Sequence, residues 1–111
     1  MSFLDSTTPS IDPGTSASWE KIVVPVRTVD SLIRDGTARP DVMKIDVEGA
    51  ELLVLLGAEE TMRMVRPTTI IEAHSASLAF RVHEWFETQG YEVRLLAELA
   101  PSRVLLCATP G

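Results

Sequence analysis

"KIDVEGAELLVLLGAEE", residues 44–60, decides how the chain is read. The run "DVMKIDV" (41–47) has the pattern of a strand that closes on two acids, Asp46 and Glu48. Gly49 lets the backbone turn, and a helical stretch follows to about Val65, broken near Gly57. Apolar residues are almost continuous from Leu52 to Leu56, which predicts burial on most sides of that helix. Side chains alternate along a strand, so Lys44, Asp46 and Glu48 share a direction unless Glu48 already belongs to the turn. The positive end of a helix dipole favours acids just before the first turn, by about 0.3–1 kcal/mol each. Either Asp46 or Glu48 can therefore serve as a cap. The same preference explains Glu51 in the first helical turn. Lys44 calls for a partner, and an ion pair with Asp46 or with an acid on the next strand would supply one.

Outward from this stretch, "TTIIEAH" (68–74) is a β-branched strand that places Glu72 and His74 on one face. If the two strands are neighbours, about 4.8 Å apart, then Asp46, Glu48, Glu72 and His74 converge at one rim. Such a group can hold a divalent cation through oxygen and nitrogen, or act as a general base on a hydroxyl. Pro67 stops the preceding helix, and Ser75 or Ser77 caps the next, over 77–89. Leu78, Val82, Trp85 and Phe86 form its apolar stripe. His83, off that stripe, reads as a solvated helix-face residue.

"YEVRLLAE" (91–98) and "SRVLLCAT" (102–109) are two further strands, joined around Ala100-Pro101 as an antiparallel hairpin. Upstream, "KIVVPV" (21–26) reads as a strand, with Pro25 placing it at an edge. "TVDSLIRDG" (28–36) is a short helix with Thr28 as N-cap, Asp30 in its first turn and Gly36 closing it. Residues 1–20 are rich in Ser, Thr, Pro, Gly and Asp and read as loop or disordered. Strands alternating with helices predict a mostly parallel sheet with right-handed crossovers. Sites in such sheets lie beyond the carboxyl ends of the strands, where both acidic clusters fall.

The bulk properties narrow the function. One domain fits in 111 residues, and a 45% hydrophobic content supports a packed, mostly aliphatic core. A net charge of -6 with no basic cluster disfavours nucleic acid and anionic membranes as partners. No run approaches the roughly 20 apolar residues of a membrane span, and the N-terminus lacks the pattern of a signal peptide. Cys107 is the one cysteine, in the apolar run "RVLLCAT". It reads as a buried, inert thiol in a reducing, cytoplasmic setting.

"VPVRTVDSLI", "DVMKIDVEGAELLVLLGAEETM", "RPTTIIEAH" and "FETQGYEV" together resemble the FkbM-type family of S-adenosylmethionine-dependent methyltransferases, over roughly residues 22–94. The resemblance implies a doubly wound, Rossmann-like methyltransferase sheet, with methyl transfer from S-adenosylmethionine to a hydroxyl oxygen of a small molecule or glycan. It makes "MKIDV" and "TIIEAH" the fourth and fifth strands and the hairpin the last two. Asp46 and Glu48 would face the acceptor. Asp46, Glu48, Glu72 or His74 would supply the base, and Asp30 is a candidate for cofactor contact.

Family members carry upstream a D-x-G-x-x-x-G turn that cradles the cofactor, and this sequence contains none. Residues 21–111 are therefore expected to be the C-terminal part of a methyltransferase domain, inactive alone. The strand "MKIDV" would then be left with an open edge, inviting homodimerisation or aggregation. A non-catalytic α/β module on the same scaffold, and a carboxylate-metal hydrolase built on the four rim residues, are the alternatives.

Overall fold

The computed structural model describes residues 21–111 except Ala100; the expectation of a loop over residues 1–20 lies outside the described residues. Four helices and four strands follow one another: α1 (Val29–Arg34), β1 (Val42–Ile45), α2 (Glu51–Leu56), α3 (Glu59–Met64), β2 (Thr68–Ala73), α4 (Ala76–Thr88), β3 (Tyr91–Leu99) and β4 (Arg103–Pro110). The local signals act where the sequence places them. Thr28 accepts from the Ser31 amide at the start of α1, and Ser75 accepts from the Leu78 amide at the start of α4. Gly36 follows α1 with φ +80°.

The strands form one sheet in the order β1-β2-β4-β3. β1 and β2 run parallel, with Val42 opposite Thr68 and Ile45 opposite Ile71. β4 lies between β2 and β3 and is antiparallel to both. The C-terminal hairpin thus forms as expected, with a register shift between Leu95 and Ala97. The expectation of a mostly parallel sheet is corrected: one of the three strand pairings is parallel. The hairpin folds back so that its second strand, not its first, meets β2. α4 carries the chain across so that β3 runs in the same direction as β2, and the tight turn after β3 then sets β4 between them antiparallel to both.

The expected strand over 21–26 does not form. Ile22 is 67% and Val23 94% exposed. Pro25 has no N–H to give a ladder, and the β-branched residues stay unpaired. β1 consequently pairs with β2 alone among the described residues, and its other edge is open.

Met43, Ile45 and Val47 point to one face of the sheet, together with Ile71, Leu106, Ala108 and Tyr91. Val54 and Leu55 of α2, Ala58, Met62 of α3, and Val82 and Phe86 of α4 complete a single core there. Trp85 packs edge-on against Phe86, and Phe86 against Tyr91, with ring centroids 5.2 Å apart in both pairs. The Tyr91 hydroxyl donates to the Pro67 carbonyl at 2.8 Å, and burial pushes its pKa up despite the Arg66 guanidinium over the ring. Cys107 is buried, as expected. Burial of Leu52–Leu56 on most sides is corrected: Leu53 is 49% and Leu56 46% exposed. α2 is only six residues long and presents one face to the core, so two leucines three apart share its outer face.

α2 ends at Gly57 and α3 begins two residues later, as the glycine suggested. α1 fills this corner. The Asp30 amide donates to the Gly57 carbonyl at 2.9 Å. The Asp30 carboxylate accepts from the Glu60 amide, the Thr61 amide and the Thr61 hydroxyl at 3.1, 2.8 and 2.7 Å. Ala58, the N-cap of α3, has no side chain to do this, so Asp30 caps α3 from another helix.

Candidate functional site

β1 and β2 are neighbours in parallel, so their carboxyl ends meet at one rim of the sheet. Continuing the register from Ile45 opposite Ile71 sets Asp46 beside Glu72. His74 follows β2 by one residue. Its Nε2 lies 3.4 Å from Asp46 Oδ1 and 3.7 Å from Glu72 Oε2. One ligating atom from each of Asp46, Glu72 and His74 lies within 4.8 Å of the others. Three of the four predicted rim residues therefore come together. Glu48 does not join them: it sits in the turn with φ 37°, exposed, beside Gly49 with φ +95°. The paired left-handed conformations swing the chain from β1 into α2 within two residues.

Neither Asp46 nor Glu48 caps α2. The N-cap is Ala50, with no side-chain hydrogen bond. Glu51 serves there instead, reaching back so that its Oε1 accepts from the Gly49 amide at 3.1 Å. The same oxygen lies 2.5 Å from His74 Nδ1. A carboxylate accepts but does not donate, so Nδ1 carries the proton and Nε2 is turned toward Asp46 and Glu72. Glu51 is wholly buried, and its Oε2 has no hydrogen-bond partner among the described residues. Glu72 is held from its far side: its Oε1 lies 3.4 Å from Arg103 Nη1 at the start of β4, leaving Oε2 for the rim.

Exposure rises outward, from 0% at Glu51 through 13% at His74 and Glu72 to 48% at Asp46. Burial lowers the His74 pKa. The hydrogen bond to Glu51 and the charges of Glu51, Glu72 and Asp46 outweigh it, leaving the pKa above the ordinary imidazole value of 6.5. A groove of roughly 370 Å³ runs along the open edge of β1, lined by Val29, Met43, Ile45, Val47 and Val54, and reaches Asp46.

Sequence reasoning left Glu51 with a helix-dipole role and did not find Arg103. It expected Lys44 to need an ion pair. Lys44 is exposed and makes no salt bridge among the described residues, because its ammonium reaches water beside the open edge. Asp30 has both carboxylate oxygens committed to the start of α3. His83 is solvated on α4, 3.2 Å from Glu87.

A family model, described as the methyltransferase FkbM domain, matches residues 2–93. The chain belongs to the FkbM methyltransferase family. That match spans α1 through the start of β3 and so includes every residue of the rim except Arg103. FkbM membership implies S-adenosylmethionine as methyl donor. Comparison with curated proteins and with solved structures gave no significant match. Among the described residues, no helix is long and apolar enough to cross a membrane.

Proposed function

We propose that this chain forms the acceptor-facing wall of a methyl transfer to the hydroxyl oxygen of a small molecule or sugar. The observation that carries the reading is the convergence of Asp46, Glu72 and His74 at the carboxyl ends of two parallel strands, in a chain of the FkbM family. An oxygen nucleophile must be oriented and must lose its proton as the new bond forms. Asp46, half exposed at the mouth of the rim, meets an incoming hydroxyl first and takes its proton. His74 Nε2 and Glu72 Oε2 stand beside it as alternative acceptors for that same proton. Glu48, exposed on the adjoining turn, contacts the acceptor beyond its reacting hydroxyl.

S-adenosylmethionine is not accommodated by the described residues. The groove beside β1 is mainly apolar. The sequence offers no glycine-rich turn to bring backbone amides against the donor. The sheet order, with its closing hairpin, supports reading the strands as the C-terminal part of a doubly wound methyltransferase sheet. The donor's cradle then lies outside the described residues, and the described part alone does not turn over. The lack of a glycine-rich turn favours a second reading, a non-catalytic α/β module on the same scaffold.

Heteronuclear NMR with a panel of simple polyols and sugars separates the two. The first reading expects the His74 ring and Asp46 resonances to move with an acceptor, and Asp46→Asn to abolish the movement. Silence across the panel leaves the module. Calorimetry with S-adenosylmethionine is expected to show no heat at millimolar donor. Saturable heat would place the donor site within this chain and overturn that part of the reading.

A further inference from the structure

We propose that Asp46, Glu72 and His74 form a divalent cation site, with Glu51 as the outer carboxylate that fixes the histidine ligand. Three observations meet here. The first is spacing. Donors about 2.0–2.5 Å from one ion lie at most about 5 Å apart, and the three ligating atoms lie within 4.8 Å of one another. Glu72 lies within β2, and Asp46 and His74 each stand one residue past the end of a strand of the same sheet, so the sheet brings the three together.

The second is the histidine. Its Nδ1 is bound to a buried carboxylate, which leaves the Nε2 lone pair facing the two other donors. Metal-bound histidines are oriented in this way, their second ring nitrogen donating to a carboxylate. Glu72 is arranged to the same effect, with Arg103 on one oxygen and the other free toward the rim.

The third is Glu51 itself. A carboxylate with no solvent exposure and an orphaned Oε2 is costly unless a positive charge stands close. Three acids, Asp46, Glu51 and Glu72, surround one imidazole, and Arg103 meets Glu72 at its outer oxygen. A cation on Nε2 polarises the Nδ1–H bond toward Glu51 and balances the group.

One imidazole and two carboxylates suit Mn²⁺ or Zn²⁺ better than Ca²⁺, which takes six to eight oxygens. Three protein ligands leave positions open. An acceptor hydroxyl occupying one of them would lose its proton more readily; that role rests on the methyl-transfer reading, whereas cation binding does not.

The test is Mn²⁺ titration of the whole chain followed by electron paramagnetic resonance, with Zn²⁺ as competitor. One equivalent of Mn²⁺ is expected to bind, to be displaced by Zn²⁺, and to be unaffected by Ca²⁺. Asp46→Asn, at a half-exposed position that the fold does not need, should weaken binding at least 10-fold. Glu51→Gln, which removes no ligand, should weaken it about 10–100-fold. Glu84→Gln, an exposed acid on α4, should leave it unchanged. No bound Mn²⁺ at millimolar metal, or binding indifferent to Asp46→Asn, overturns the proposal. Mn²⁺ bound with no acceptor response sinks only the methyl-transfer reading. An acceptor response unchanged by added Mn²⁺, with no bound Mn²⁺, sinks only this one.

Discussion

His74 Nδ1 lies 2.5 Å from Glu51 Oε1, and Glu51 is entirely out of water. Each residue makes the other tolerable in a site that neither could occupy alone. Removing one partner of a buried pair strands the other and costs about 3–5 kcal/mol. His74→Ala is expected to fall in that range by urea denaturation. In a Glu51→Gln background, where no charge is stranded, the same substitution should cost about 1 kcal/mol. Additive effects across the four proteins would show that the two side chains are not coupled.

The turn that presents Glu51 depends on Gly49, at φ +95°. Space is not the constraint, since a Cβ there would meet nothing within 4 Å. Conformation is: left-handed backbone costs an ordinary residue about 1–2 kcal/mol. Gly49→Ala should lower stability by that amount and shift the His74 ring resonances, because the Gly49 amide also holds Glu51 Oε1. Full stability in the variant would mean that the turn has a second conformation.

Asp30 makes three hydrogen bonds to the first turn of α3. Loss of a capping acid costs about 0.5–2 kcal/mol. Asp30→Ala should sit at the upper end, measured by thermal unfolding, and Asp30→Asn well below it. Acceptor-induced shifts at the rim should persist in both variants. Their loss in a folded Asp30→Asn chain would return Asp30 to the list of ligand contacts.

At Asp35, hydrogen bonds from the Thr37 side chain and from Arg27 lower the carboxyl pKa from 3.8 to about 2. A depressed folded-state pKa stabilises the fold above pH 3.8, and that contribution disappears as pH falls through about 2. Carboxyl NMR should place the Asp35 midpoint near 2, and Thr37→Val should raise it. An unmoved midpoint in the variant would assign the shift to Arg27 and the residue 37 amide.

The open edge of β1 carries Val42, 60% exposed, in a strand whose second partner is missing among the described residues. Such edges pair between chains. Sedimentation velocity should show concentration-dependent association, and Val42→Lys should reduce it. A monomer at all concentrations would show that the edge is covered.

What the sequence revealed follows the range of the interactions. Caps at Thr28 and Ser75, the break at Gly57 and the hairpin depend on neighbours a few residues away, and each was readable. The rim acids were readable too, since alternation and the order of elements bring Asp46 to Glu72. Strand 21–26 was misread because β-branched residues declare a preference and not a partner. Glu51 was undervalued although its signal was present. It stands on the stripe of Val54, Leu55, Ala58 and Met62, at steps of three, one, three and four, so it had to point inward. The sequence held no local sign of Arg103, which reaches Glu72 only because β4 pairs with β2.

The capping of α3 by Asp30 separates what can open from what can fray. The amides of Glu60 and Thr61 belong to α3, yet they are protected by a side chain 30 and 31 residues upstream. Their hydrogen exchange will therefore follow the undocking of α1 rather than the unwinding of their own helix, making two amides of one helix reporters on the loosening of another.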